Sequence, residues 1–154
     1  MSHSCTQLHI HMIFSVKYRN CYLTGQFETL MHQKMREILE QSNCFVRAIN
    51  GDRDHVHLFF DLHPSVSVAQ IAQQIKGGTA HWINKEQTII RIPGNFYWQR
   101  GYSAFSYSHS HIDAVVQYIK NQKAHHKTRT FHDEMVALCE RFGVKLPEIF
   151  GVED

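Results

Sequence analysis

The sequence predicts an α+β fold, an antiparallel sheet with helices on one face, followed by two further helices. Three observations support it. Apolar and polar residues alternate from Gln7 to Tyr18 and again from about Arg53 to Leu62, the two-residue period of a half-buried strand. Apolar residues recur at helical spacing after each of these runs. Asn50-Gly51-Asp52 is a hairpin turn signal between two strand-like segments.

The elements follow in the order βαββαβα. In the first strand Leu8, Ile10, Met12, Phe14 and Val16 share a face, and Gln7, His9, His11, Ser15 and Lys17 lie mainly on the other. After Thr24-Gly25, the spacing of Phe27, Leu30, Met31, Met35, Ile38 and Leu39 predicts a helix to about Gln41. Cys44 to Asn50 reads as the second strand. In the third strand Val56, Leu58, Phe60 and Leu62 share one face, so His55, His57, Phe59 and Asp61 share the opposite one.

Ser67 caps a helix carrying Val68, Ile71, Ala72 and Ile75 and continuing to Trp82, which Gly77-Gly78 should weaken or bend. Ile89 to Asn95 reads as a loop and Trp98 to Tyr107 as a fourth strand. Ile112, Val115, Val116 and Ile119 predict a helix from about Ser110 to Lys127. Phe131 to Phe142, stopped by Gly143, carries Met135 and Leu138 and reads as an amphipathic helix for core or interface. This order is that of a ferredoxin-like or RRM-like sheet, leaving one face for a ligand or for the last helix.

The length of 154 residues suits one domain over 1–154, since single cores commonly occupy about 100–200 residues. Shares of 43% apolar and 19% charged residues argue against extended disorder. Cys5, Cys21, Cys44 and Cys139 form no Cys-x-x-Cys pair, so reduced thiols are expected rather than a zinc knuckle or disulfide framework. There is no long apolar run and no basic-then-apolar leader, so no membrane partner and a cytoplasmic location are expected. The net charge of +2 is small, but no carboxylate stands between Asp113 and Asp133, where Lys120, Lys123, His125, His126, Lys127 and Arg129 gather. Such a surface suits phosphates, or a solvated helix face.

Two histidines at i and i+2 on a strand present both imidazoles on one side, where they can grip one divalent ion. His9/His11, His55/His57 and His109/His111 all have this spacing, and spacing alone does not choose among them. The middle pair follows a hairpin turn on a strand whose other face is strongly apolar, a rigid platform for ligands. Tyr118 and Gln122, four apart on a helix, present phenol and amide on adjacent turns. Beside an apolar stripe a tyrosine can equally be a boundary residue packing its ring.

These parts in this order resemble the single-tyrosine HUH transposases of the insertion sequence 200/605 group. The matching segments are Lys17-Tyr18-Arg19, Asp54-His55-Val56-His57-Leu58, Lys76-Gly77-Gly78, Trp98-Gln99-Arg100-Gly101-Tyr102 and Tyr118-Ile119-Lys120-Asn121-Gln122. The resemblance implies that His55, His57 and Gln122 hold a divalent metal, Mg2+ or Mn2+, and that Tyr118 is the nucleophile. It implies single-stranded DNA with hairpin ends as substrate, and a homodimer whose tyrosine helix can complete the partner's site. Lys76, Arg100, Lys120 and Lys123 are candidate phosphate contacts. A non-catalytic single-strand-binding module of the same plan, a relative recruited for repeat processing and a small zinc hydrolase are the competing readings. The last lacks a clear carboxylate base unless Asp54 or Asp61 serves, and leaves Tyr118 unexplained.

Overall fold

A computed structural model describes residues 3–147; the remainder of the expected 1–154 domain lies outside the described residues. Four strands, β1 (His9–Ser15), β2 (Phe45–Asp52), β3 (His55–Asp61) and β4 (Ser103–Tyr107), form one antiparallel sheet in the order β2-β3-β1-β4. Helices α1 (Gly25–Gln41) and α2 (Val68–His81) follow β1 and β3, and α3 (Ile112–Lys120), α4 (Gln122–His125) and α5 (Phe131–Phe142) follow β4. The expected α+β architecture is present.

The strand alternation sorts the two sheet faces. Ile10, Met12, Phe14, Val56, Leu58 and Phe60 meet Met31, Met35 and Leu39 of α1 and Ile71 and Ile75 of α2 in the larger core. The other face is not left open, because the three late helices cover it. Ala48 and Phe59 pack under Ile112, Val115 and Ile119 of α3, while Ile13 and Phe105 pack under Phe131, Met135 and Leu138 of α5.

Four departures from the sequence reading have local causes. Gly77-Gly78 leaves α2 unbroken, because a Cβ on Gly78 would stand 3.0 Å from Ile38 Cδ1: the glycine permits close packing against α1. The β2–β3 turn falls at Arg53-Asp54 rather than Asn50–Asp52; Gly51 lies inside β2, where a Cβ would come within 2.2 Å of the His55 carbonyl oxygen. The fourth strand is shorter than expected, with Trp98 joined to Val16 by a single bridge and its indole donating to Thr79 Oγ1 at 2.8 Å.

The fourth departure matters most for function. The expected continuous helix from Ser110 to Lys127 breaks at Asn121 into α3 and α4. Asn50 Nδ2 donates to the carbonyls of Ile119 (3.0 Å) and Lys120 (3.1 Å), satisfying acceptors that a helix end leaves bare. A residue of β2 thus caps α3 and fixes where the chain turns inward.

Candidate active site

His55 and His57 stand on the sheet face beneath the late helices, both fully buried. Because β3 pairs β1 with His57 opposite Ile13, His11 lies diagonally beside His57, and His11 Nε2 shares a 2.7 Å hydrogen bond with His57 Nδ1. His55 is anchored from behind: its Nδ1 donates to Asp54 Oδ1 at 2.8 Å, and Arg19 Nε donates to Asp54 Oδ2 at 3.0 Å. Arg19 also lies over the ring of Phe131, which stacks on His55 with centroids 4.3 Å apart. Such outer contacts orient the imidazoles that they support.

Over these rings the helices place three groups spaced four residues apart: Tyr118 on α3, Gln122 opening α4, and His126 just after it. Gln122 is buried, and its Oε1 accepts from His55 Nε2 at 3.2 Å and from His126 Nε2 at 3.1 Å. A fourth group, which the sequence reading missed, comes from α5. The side chain of Thr130 caps that helix in a reciprocal pair with Asp133, which sets Glu134 in the first turn, where the helix dipole favours an acid. Glu134, only 1% exposed, points into the histidine cluster.

Glu134 is the hub of the site. Its Oε1 accepts from His57 Nε2 at 2.9 Å and His126 Nε2 at 3.1 Å, with His55 Nε2 at 3.4 Å. Its Oε2 accepts from the hydroxyl of Tyr118 and from Gln122 Nε2 at 2.8 Å. Burial pushes the Glu134 carboxyl upward, but the hydrogen bonds from His126, His55 and His57 outweigh it and hold the group well below the usual carboxylate range.

The two strand histidines divide in charge. Burial lowers both, but Asp54 and Glu134 overcome it at His55, whose pKa rises to about 9. At His57 burial dominates, with the charges of His55 and His126 adding to it, and the pKa falls to about 4. Burial likewise holds His11 well below its ordinary value, with His57 as the next cause. Burial and then the charge and hydrogen bond of Glu134 raise the Tyr118 phenol above the ordinary tyrosine value.

His55, His126 and Glu134 each offer a ligand atom, and these atoms lie within 4.8 Å of one another. With His57 Nε2 and Gln122 Oε1 beside them, the donors suit a divalent ion. All come from one chain.

The expected metal residues His55, His57 and Gln122 and the expected nucleophile Tyr118 are therefore brought together; the candidate DNA contacts are not. Lys76 lies on α2, across the sheet, donating to the carbonyls of Gln99 (2.7 Å) and Gly101 (2.6 Å). Lys123 bonds Glu28 Oε2 at 2.9 Å and the Gly51 carbonyl at 3.1 Å. Arg100 and Lys120 are exposed.

The comparisons with known proteins identify the family. Residues 4–122 match the family model described as IS200-like transposase. The chain is 26% identical over 118 residues to the ISDra2 transposase TnpA of Deinococcus radiodurans, covering 75% of this chain and 84% of that one. It is 21% identical over 124 residues to the transposase for insertion sequence element IS200 of Salmonella typhimurium, covering 79% and 81%. Among solved structures, a putative transposase from Deinococcus radiodurans superposes with a TM-score of 0.63 at 23% identity, covering 79% of this chain and 95% of that one. A REP-associated tyrosine transposase bound to a REP hairpin superposes with a TM-score of 0.59 at 15% identity, covering 82% and 74%.

The protein is a transposase, an enzyme that cuts and transfers DNA strands. Within that class, the chain belongs to the IS200-like family of the insertion sequence 200/605 group. The family match ends at Gln122, so His126 and Glu134 reach the site from beyond it. No helix among the described residues is long and apolar enough to cross a membrane.

Proposed function

We propose that the protein is a metal-dependent single-strand DNA transposase in which Tyr118 attacks a phosphodiester at hairpin-flanked element ends. The observation that carries this reading is the convergence of the Tyr118 hydroxyl and the imidazoles of His57 and His126 on the single carboxylate of Glu134. A nucleophile and a cluster of metal-ligating donors then share one buried spot.

When bound, a divalent ion would supply the positive charge that offsets charge developing on the attacked phosphate. His55, His57, His126, Gln122 and Glu134 are the residues that would hold it, and the third imidazole weights the set toward manganese or zinc over magnesium. The remaining work falls to the protein. Tyr118 is held neutral, so its proton must leave as the phenolic oxygen bonds to phosphorus, and Glu134 Oε2 already accepts that proton's hydrogen bond. As the O–P bond forms, the bond from phosphorus to the 3′ oxygen breaks. The strand is left with a 5′-phosphotyrosine and a free 3′-hydroxyl, and the proton given up by Tyr118 to Glu134 passes through water to that 3′ oxygen, so none is gained or lost overall. Attack by another 3′-hydroxyl reverses these steps and joins a new strand.

The donors and Tyr118 can meet within one chain, and in a homodimer, as the resemblance implies, the same helix would serve the partner's site. The relative bound to a REP hairpin supports a hairpin-bearing single strand as the substrate class. The test is to incubate labelled single strands from the DNA flanking the gene with protein and manganese, then separate the products under denaturing conditions. A covalent protein–DNA adduct that is absent with Tyr118→Phe is expected; an adduct that survives this substitution would refute the assignment.

A further inference from the structure

Between α3 and α5, lined in part by Tyr118, lies a cavity of about 220 Å³. We propose that it receives one unpaired nucleobase of the DNA strand, that of the nucleotide adjoining the phosphate attacked by Tyr118. The inference rests on the reading of Tyr118 as nucleophile.

Position comes first. Tyr118 lines the cavity and its hydroxyl bonds Glu134, so the cavity adjoins the side chain that would meet the reacting phosphate. A nucleotide joined through that phosphate carries its base one sugar away, within reach of the gap. The gap itself follows from helical spacing: Ala114, Val115 and Tyr118 lie on one face of α3, with His111 just before it, opposite Leu138 and Arg141 of α5.

The chemistry of the walls fits a flat, neutral ring on an anionic chain. Val115 and Leu138 supply buried apolar surface. Tyr107 of β4 supplies an aromatic wall, and burial raises its phenol pKa, so it stays neutral. Bases stack on such rings with little regard to sequence. At the rim, Arg141 brings a guanidinium that no carboxylate pairs with among the described residues, suited to the backbone phosphate or to a base edge.

Size also selects. At about 220 Å³ the cavity is below the roughly 300 Å³ at which pockets for drug-sized ligands begin, which favours one ring system. Enzymes that modify a base seat it alone in a close-fitting recess, so a cavity of this scale can hold one unstacked base. Here a seated base would hold the adjoining phosphate against Tyr118.

The experiment maps the attacked phosphate from the wild-type adduct, then places a fluorescent base analogue on either side of it: 2-aminopurine, or pyrrolocytosine for a pyrimidine. Binding is followed with Tyr118→Phe protein, which leaves the strand uncut. Several-fold quenching at one adjoining position, and none two or more nucleotides away, is expected. In the same background Ala114→Trp, at an exposed position lining the cavity, should abolish the quench, and in otherwise wild-type protein should raise the half-saturating DNA concentration for adduct formation about tenfold. Should that variant not fold, Arg141→Ala at the rim should weaken the quench several-fold. Equal fluorescence at both neighbours, or a quench that neither substitution alters, overturns the pocket, while an adduct formed by wild type and lost with Tyr118→Phe leaves Tyr118 as nucleophile. Absence of any adduct overturns both.

Discussion

The hydroxyl of Tyr118 donates its hydrogen bond to Glu134, the same carboxylate whose other oxygen receives His57 and His126. One side chain from α5 thereby ties Tyr118 to the imidazole cluster. The family match stops before α5, so this chain closes its site with a segment that the family pattern does not specify.

Glu134→Gln is therefore expected to act well beyond a lost contact. The amide keeps the shape but cannot balance the charge that Asp54 and Glu134 together sustain on buried His55. Removing one partner of a buried ion pair costs about 3–5 kcal/mol. Urea unfolding of the metal-free variant should show a loss of that order, and calorimetric titration with manganese should show weaker binding. A stability within error of wild type would mean that His55 does not depend on Glu134.

Tyr118→Phe should behave in the opposite way. Glu134 keeps its bonds from Gln122, His57 and His126, so the stability lost is about 1.5–3 kcal/mol, the worth of one hydrogen bond to a charged group. Covalent adduct formation should fall to zero on a denaturing gel, while affinity for single-stranded DNA, measured by fluorescence anisotropy, stays within about threefold. A large drop in affinity would make Tyr118 a binding residue first.

The parts of this site that the sequence exposes are those set by local periodicity. Alternation along β3 alone puts His55 and His57 on one face, and the four-residue step relates Tyr118 to Gln122. The same step reaches His126, which charge counting instead assigned to a basic surface. Glu134 was hidden for a different reason. It flanks the apolar stripe of α5, and a carboxylate there reads as solvated until three-dimensional packing aims it at the imidazoles. The break at Asn121 is equally non-local, since it is closed by Asn50 on β2. Gly77 and Gly78 mislead because helix propensity says nothing of Ile38 on the neighbouring helix.

Gly51→Ala tests the hairpin that carries His55. The added Cβ would stand 2.2 Å from the His55 carbonyl oxygen, a backbone atom that cannot rotate away. Overpacking of this kind costs about 1–3 kcal/mol. Because the strained atom belongs to His55 itself, manganese affinity should fall together with the melting temperature. Lower stability with unchanged affinity would show that the imidazole is positioned independently of the hairpin backbone.

The opposed shifts of His55 and His57 predict a bell-shaped stability profile for the metal-free protein. His55 has its folded pKa raised to about 9 from 6.5, so the folded state binds more protons than the unfolded chain between these values. Its contribution is full below about pH 6.5 and is lost as pH rises through 9; the shift corresponds to an order of 3 kcal/mol. His57 has its folded pKa lowered to about 4 from 6.5, so below 6.5 the unfolded chain binds the extra proton and stability falls again toward pH 4. Melting temperatures in chelator should peak near pH 6.5 and decline on both sides. Saturating manganese should remove the alkaline decline, because a metal-bound imidazole carries no proton to lose there. A metal-free protein whose melting temperature climbed from pH 6.5 to 9 would contradict the charged state assigned to His55.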